Sequence, residues 1–460
     1  MTAYRVVDPT RNELLAEHPT ATDAEVEAAL GRSHTAQRAW RAVPVQERAA
    51  VVRRAGELFA ERRDALAALV TREMGKRTGE ARGELSLVAD ICAYYADDGP
   101  AMLADEPLSP RRGGRAHLRH EPVGPLLGVM PWNFPYYQAV RLAAPNLVAG
   151  NTILLKPAPQ CPESALAAAQ VWHDAGLSDG CYEVLLATDE QVADLVADPR
   201  VAGVSVTGSE RAGSAVAAQA GRHLTKVVLE LGGSDPFVVL ADADLDRAVK
   251  HAVLGRMQNC GQACNAAKRI LVVDAVHDAF LERFAAAVAA LCPGDPTDPG
   301  TTLAPMASEA AATTLVEQVQ DALDRGATAV VGGAERPDRP GAWVTPTVLT
   351  GVTPGMRAFD EELFGPVAVV HRVADADAAV ELANASPFGL GGAVFGTDPD
   401  AVADVVARLE TGMVWVNSMQ GSMADLPFGG TKRSGVGREL GTLGIREFVN
   451  TKLIHEPGAR

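Results

Sequence analysis

Leu126-Leu127-Gly128-Val129-Met130, followed by Pro131-Trp132-Asn133-Phe134-Pro135 and an Ala-containing stretch over 137–149, is the segment on which the fold turns. A short apolar run, a turn pinned by prolines and a stretch of helical composition make one strand–turn–helix unit. Further apolar runs lie at 152–155, 182–186, 203–206 and 226–231, with helical segments near 162–175 and 210–221. That alternation predicts βαβ units around a parallel sheet. A second α/β region opens at Pro236-Phe237-Val238-Val239-Leu240 and continues through Ile270-Leu271-Val272-Val273 and the helical stretch 276–291. Upstream, residues 22–75 read as helices: Thr22 and Glu25 make a capping box, Val51, Ala55, Leu58 and Phe59 share a face, and Gly75 supplies a stop. The Pro-, Gly- and Arg-rich stretch near 107–115 reads as an excursion from the first domain. The last segment, Ile445 to His455, reads as a strand that pairs with 107–125 or with another chain.

A chain of 460 residues exceeds one ordinary core, so two or three domains are expected. Its 47% hydrophobic and 22% charged residues are the balance of a soluble globular protein. The net charge of −16 argues against a nucleic-acid surface and is read as solubility. No apolar run reaches the roughly 20 residues of a membrane span. Met1-Thr2-Ala3-Tyr4-Arg5 lacks the basic-then-apolar order of a signal peptide. Six scattered cysteines, two of them in one short motif, make no disulfide framework, so a reducing cytoplasm is expected. No internal repeat, metal-ligand spacing or low-complexity tract is visible, and no metal is expected.

Four separated segments carry candidate chemistry. Prolines on both sides hold Asn133 at a strand end, where ligands collect in open α/β sheets, and its amide can donate to a developing oxyanion. Thr207-Gly208-Ser209, with Gly213 beyond, forms a small-residue strand-to-helix turn that lets backbone amides approach a phosphate. Lys156, after Ile153-Leu154-Leu155, can reach a cofactor ribose. Glu230 ends an apolar strand ahead of Gly232 and Gly233, so its carboxylate can project into a cleft and activate water. Cys264, in Asn259-Cys260-Gly261-Gln262-Ala263-Cys264, offers a thiol among small residues that allow close approach of a carbonyl carbon. Each residue taken alone has a plainer reading: a turn asparagine, a bare Gly-Ser turn, a solvated lysine, a salt-bridged acid, a cysteine acting as a small hydrophobe.

Together the segments resemble the aldehyde dehydrogenase superfamily. Pro-Trp-Asn-Phe-Pro at 131–135, Thr-Gly-Ser at 207–209, Leu-Glu-Leu-Gly-Gly at 229–233 and Asn-Cys-Gly-Gln-Ala-Cys at 259–264 stand in that family's order. So do Glu-Glu-Leu-Phe-Gly-Pro at 361–366 and Pro-Phe-Gly-Gly-Thr-Lys-Arg-Ser-Gly at 427–435. The resemblance implies an α/β aldehyde dehydrogenase-like fold with three parts. A Rossmann-type cofactor-binding domain would take 1–106 and 126–233 with 434–445, and an α/β catalytic domain 234–433. A small β oligomerisation hairpin and tail would take 107–125 and 446–460, in homodimers or homotetramers.

By resemblance Cys264 is the nucleophile, Glu230 the base for thioester hydrolysis and Asn133 the side-chain half of the oxyanion hole. Lys156 and Ser209 resemble contacts to the adenosine ribose and pyrophosphate, and Glu362 and Phe364 the pair that positions the nicotinamide ribose and ring. Trp132, Pro159, Thr207, Gly208, Gly213 and Leu231 join the expected cofactor set. Asn417 matches an asparagine at the inner end of the substrate tunnel, and Tyr137 and Gln138 are expected to shape that tunnel.

The chain resembles a short bacterial branch of succinate-semialdehyde dehydrogenases in Leu-Glu-Leu-Gly-Gly-Ser-Asp-Pro-Phe at 229–237 and Ala-Ala-Lys-Arg at 266–269. Arg141 stands where those enzymes carry an arginine that binds the substrate carboxylate, and a guanidinium can grip a carboxylate bidentately. The better-known branch has a second arginine six positions before the cysteine, where this chain has Gln258. Glutarate semialdehyde, amino or phosphorylated aldehydes, and a non-catalytic member of the family are the alternatives. NAD-specific relatives often carry a glutamate at the position of Pro159, which repels a 2′-phosphate. Its absence, without an added cation, leads us to expect use of both NAD and NADP. Cys260 is either a small tolerated residue or the partner of Cys264 in a reversible disulfide.

Overall fold

The computed structural model describes residues 4–458; Met1–Ala3, Ala459 and Arg460 lie outside the described residues. The alternation read from the sequence builds two parallel sheets and a smaller antiparallel one. In the first, six strands lie in the order Gly435–Val436, Lys226–Glu230, Gly203–Thr207, Pro125–Val129, Thr152–Lys156, Tyr182–Val184. All neighbours are parallel except Gly435–Val436, which runs antiparallel to Lys226–Glu230. Numbered in chain order from Pro125, the five parallel strands read 5-4-1-2-3. The order therefore reverses between Pro125–Val129 and Gly203–Thr207, and a crevice opens at the carboxyl ends of those strands.

The second sheet has seven strands, with Ala267–Val273 and Asp235–Val239 near its middle and the antiparallel Thr328–Val331 on one edge. Both central strands are buried along their whole length, Phe237–Val239 and Ile270–Val273 as apolar runs and Asp235, Lys268 and Arg269 as buried charges. The last described strand, Val449–Glu456, pairs antiparallel with Arg115–Pro122, beside Glu106–Leu108. This is the pairing with the 107–125 excursion named as one of two options; residues Gly441–Glu447 ahead of it are helical rather than extended.

The expected helices stand at Asp23–Trp40, with the Thr22–Glu25 capping box in place, and at Val45–Glu61 and Arg63–Met74, closed by Gly75 at φ 73°. Missed from sequence was Thr78–Met102, a helix of 25 residues. Gly79, Gly83, Gly99 and Pro100 lower its intrinsic helicity, but it is set by packing. Ala81, Leu85, Val88, Cys92 and Tyr95 bury one stripe against Val45–Glu61 and Pro135–Ala149. The approach is close: a Cβ on Gly56 would stand 2.7 Å from that of Cys92. The N-terminal hairpin Tyr4–Asp8 with Glu13–His18 and the helix Asp189–Ala197 were also unread.

Candidate active site

The Pro131–Pro135 turn is clamped from the start of the long helix. Glu84 Oε1 accepts from the Tyr136 and Tyr137 backbone N–H groups at 2.9 and 3.1 Å, so a carboxylate caps the helix Pro135–Ala149. The buried Lys76 pairs with Glu84 and lies 3.8 Å from the Phe134 ring centroid. Thus fixed, Asn133 donates one N–H to the Gln262 carbonyl at 3.1 Å. A side-chain amide has two such hydrogens, and the second remains for the cavity that Asn133 lines.

The cysteine loop is held in an uncommon backbone. Asn259, Cys260 and Gly261 all have left-handed φ, at 53°, 54° and 70°, which costs on the order of 1–2 kcal/mol for each residue that is not glycine. Buried polar groups hold it there. Asn259 Nδ2 donates to the Asn133 and Gln262 carbonyls, Glu80 accepts from the Asn259 N–H, and Arg256 donates to the Gly261 and Gly365 carbonyls at 2.6 Å each. Oxyanion asparagine and cysteine loop therefore form one hydrogen-bonded unit. Among the described residues no acceptor meets the Cys264 backbone N–H.

Glu230 sits at the end of its strand, paired with Gly435, and both carboxylate oxygens lack a hydrogen-bond partner. Gly429 makes room for it: a Cβ there would stand 2.7 Å from Oε1. Burial pushes the Glu230 carboxyl well above its ordinary value, with Arg141 pulling down and Glu439 pushing up. The Cys264 thiol is pushed up to about 12 by burial, against which Lys268 and Arg141 pull down.

Two cavities meet at Cys264. A cavity of 270 Å³ is lined by Asn133, Thr207, Ser209, Glu230, Glu362 and Phe364 among others, including Trp132, Gly208 and Leu231. A larger one of 600 Å³ is lined by Tyr137, Gln258, Ser422 and Phe428 among others. Cys264 and Gln138 line both. The lining of the smaller cavity suits the nicotinamide and phosphate groups of a dinucleotide. Ser209 caps the helix Glu210–His223, whose amino end favours phosphate. Trp132 and Phe364, edge to face at 5.7 Å, give a flat apolar wall, and the Glu362 carboxylate stands near the Gly232–Gly233 turn. Gly213 lets that helix settle on Leu231, where a Cβ would overlap the leucine methyls.

Other expected residues lie elsewhere. Lys156 and Pro159 line neither cavity: the mostly buried Lys156 ammonium stands 3.8 Å from Asp189, and the Pro159 carbonyl accepts from the Arg5 N–H. Asn417 also lines neither, because its amide bonds both the N–H and the C=O of Gly396. Arg141 does not project into the tunnel. It is 1% exposed, pairs with Glu439, and donates to Tyr137 Oη at 3.0 Å and Thr207 Oγ1 at 3.1 Å. Tyr137 Oη in turn donates to Ser422 Oγ at 2.9 Å, on the wall of the larger cavity. Cys260 packs in the core of the second sheet and lines neither cavity.

Glu439 and Lys268 were missed. Glu439 bridges Arg141 and Ser205, and no motif read from the sequence singled it out. Lys268 is buried with its ammonium on Glu362 and on the Cys264 carbonyl.

Comparison with known proteins gives a consistent result. The sequence model described as the aldehyde dehydrogenase family matches residues 1–454. The succinate-semialdehyde dehydrogenase [NADP(+)] of Deinococcus radiodurans is 55% identical over 451 residues, 98% of this chain and 94% of that protein. A succinate semialdehyde dehydrogenase [NAD(P)+] of Escherichia coli is 45% identical over 448 residues, 97% of this chain and 96% of that protein. Among solved structures, the succinic semialdehyde dehydrogenase of Streptococcus pyogenes in complex with NADP+ superposes with a TM-score of 0.97. It is 41% identical, covering 99% of this chain and all of that one.

Proposed function

The chain belongs to the aldehyde dehydrogenase family, and on that premise we propose that it oxidises succinate semialdehyde to succinate, using NADP or NAD. One observation carries the reading: the Cys264 thiol borders both cavities, with Glu230 and Asn133 on the wall of the smaller. The Cys264 thiolate adds to the aldehyde carbon, and the carbonyl oxygen becomes an oxyanion held by the second Asn133 N–H and the Cys264 N–H. Trp132, Phe364 and Glu362 would hold a nicotinamide, which when bound would accept the hydride that the adduct carbon gives up as it becomes a thioester. Glu230 takes a proton from water, the water oxygen bonds the thioester carbon, and the carbon–sulfur bond breaks to release the acid and the thiolate. Burial, which raises the Glu230 carboxyl, makes its carboxylate a stronger base towards water.

The far carboxylate of the substrate is received by the Tyr137 and Ser422 hydroxyls, with Arg141 behind them. The guanidinium acts on the tunnel through the Tyr137 hydroxyl to which it donates. Its donation polarises the Tyr137 hydroxyl, which strengthens that hydroxyl as a donor to an anionic tail. A panel of aldehydes with and without a terminal carboxylate, each with NADP and NAD, tests the reading. Succinate semialdehyde should give the highest kcat/KM, and Tyr137→Phe should raise its KM at least tenfold more than that of butanal. Equal effects on the two, or an amino or phosphorylated aldehyde as the best substrate, would displace the proposed substrate.

The same reading assigns 1–106, 126–233 and 434–445 to cofactor binding, 234–433 to catalysis, and 107–125 with 446–460 to assembly as a homodimer or homotetramer in the cytoplasm. The edge strand Val449–Glu456 supports assembly, with its Leu453 60% exposed. Light scattering should give two or four chains. Among the described residues no helix is long and apolar enough to cross a membrane.

A further inference from the structure

Lys268 is the second residue of the strand Ala267–Val273, just after the cysteine loop, and its side chain is 1% exposed. A buried ammonium needs an acceptor for each of its three hydrogens. Lys268 has them: Glu362 Oε1 at 2.7 Å, the Cys264 carbonyl at 2.6 Å and the Ala263 carbonyl at 3.0 Å. The Phe364 ring closes over it at 5.8 Å. One cation thus ties the backbone of the nucleophile to the carboxylate beside the cofactor cavity. We propose that Lys268 is a positioning residue that holds the Cys264 loop against Glu362 and supplies the positive field in which the thiolate forms, a field Glu362 partly cancels.

The inference rests on Cys264 being the nucleophile. The charges facing that thiol come from four segments: Lys268 on its own strand, Arg141 on Pro135–Ala149, Glu362 after Arg357–Asp360, and Glu230 at the end of Lys226–Glu230. Lys268 is the leading influence that favours the thiolate, and Glu362 opposes it. Asp235, buried nearby, also feels Lys268. The two members of the ion pair should therefore act on Cys264 in opposite directions. A purely structural pair would not do so, since breaking it from either side loosens the same loop.

The test is the pH dependence of iodoacetamide alkylation of Cys264 in the cofactor-free enzyme, read by peptide mass spectrometry, for wild type, Lys268→Met and Glu362→Gln. Lys268→Met should move the profile to higher pH and Glu362→Gln to lower pH. A separation of one pH unit or more, about tenfold in thiolate at a fixed pH below both midpoints, supports the proposal. A smaller separation, or the reverse order, overturns it. Should the Met variant not fold, Lys268→Gln removes the same charge and takes its place. A Cys264→Ala control separates the two readings. If it still reduces the cofactor when given aldehyde, the nucleophile assignment itself fails.

Discussion

Replacing Arg141 by Met would leave Glu230 and Glu439, two buried acids, facing each other without the cation between them. Breaking a buried ion pair from one side costs about 3–5 kcal/mol. A chain of 460 residues that melts as one unit has an unfolding entropy of roughly 1 kcal/mol/K, at about 2.1 cal/mol/K per residue. The loss should therefore appear as a melting point lower by about 3–5 °C. Arg141→Met with Glu439→Gln should recover part of it, because the stranded charge is gone. Coupling between touching residues of this kind runs to about 3 kcal/mol.

The pH dependence of that loss has a definite sign. Burial raises both carboxyls, so the folded state holds more protons than the unfolded one above the ordinary Glu value, and stability falls as pH rises. Arg141 lowers both groups, so removing it carries that window further up. The deficit of the variant should be smallest near pH 5 and grow towards pH 8. Differential scanning fluorimetry of wild type, both single variants and the double variant across that range is the assay. Additive effects, or a deficit independent of pH, would refute the reading of Arg141 as a buried counter-ion.

Cys264→Ala should abolish aldehyde-dependent reduction of the cofactor, measured at 340 nm. Glu230→Gln should keep a burst of reduced cofactor but lose turnover, because only the deacylation proton is lost. Asp235, raised to about 7 by burial, makes wild type lose stability as pH rises from about 4 to 7; Asp235→Asn should flatten that slope by up to about 4 kcal/mol, read from melting points. Gly435→Ala puts a Cβ into the Leu229 carbonyl at φ 143°. It should cost about 1–3 kcal/mol and reduce turnover more than the burst, since Gly435 pairs with Glu230.

The parallel sheets were legible because buried strands show as short runs of Val, Ile and Leu, and turns betray themselves through Pro and Gly. The five parallel strands of the first sheet and the strands Asp235–Val239 and Ala267–Val273 were found in this way, whereas the edge strand Gly435–Val436 was not. The helix Thr78–Met102 was not, although its residues 81, 85, 88, 92 and 95 keep helical spacing. Glycines and charges hid a segment whose helicity comes from two neighbouring helices. At the site, motif residues near Cys264 were legible as chemistry, whereas Asn417 looked functional and proved to bond Gly396. A short polar side chain after a strand fits either role, and only its neighbours choose.

The sequence by itself determined the α/β class and the family and named the candidate reactive groups, since these depend on local pattern and side-chain type. Which charges oppose which was left to the tertiary structure. Arg141 looked free to bind a carboxylate until folding placed Glu439, 298 positions away, against it. Lys268 stood only as part of the Ala-Ala-Lys-Arg motif until the loop ahead of the neighbouring strand Val367–Val373 brought Glu362 to it. Electrostatic interaction depends on separation and burial in space, and neither distance is written along the chain.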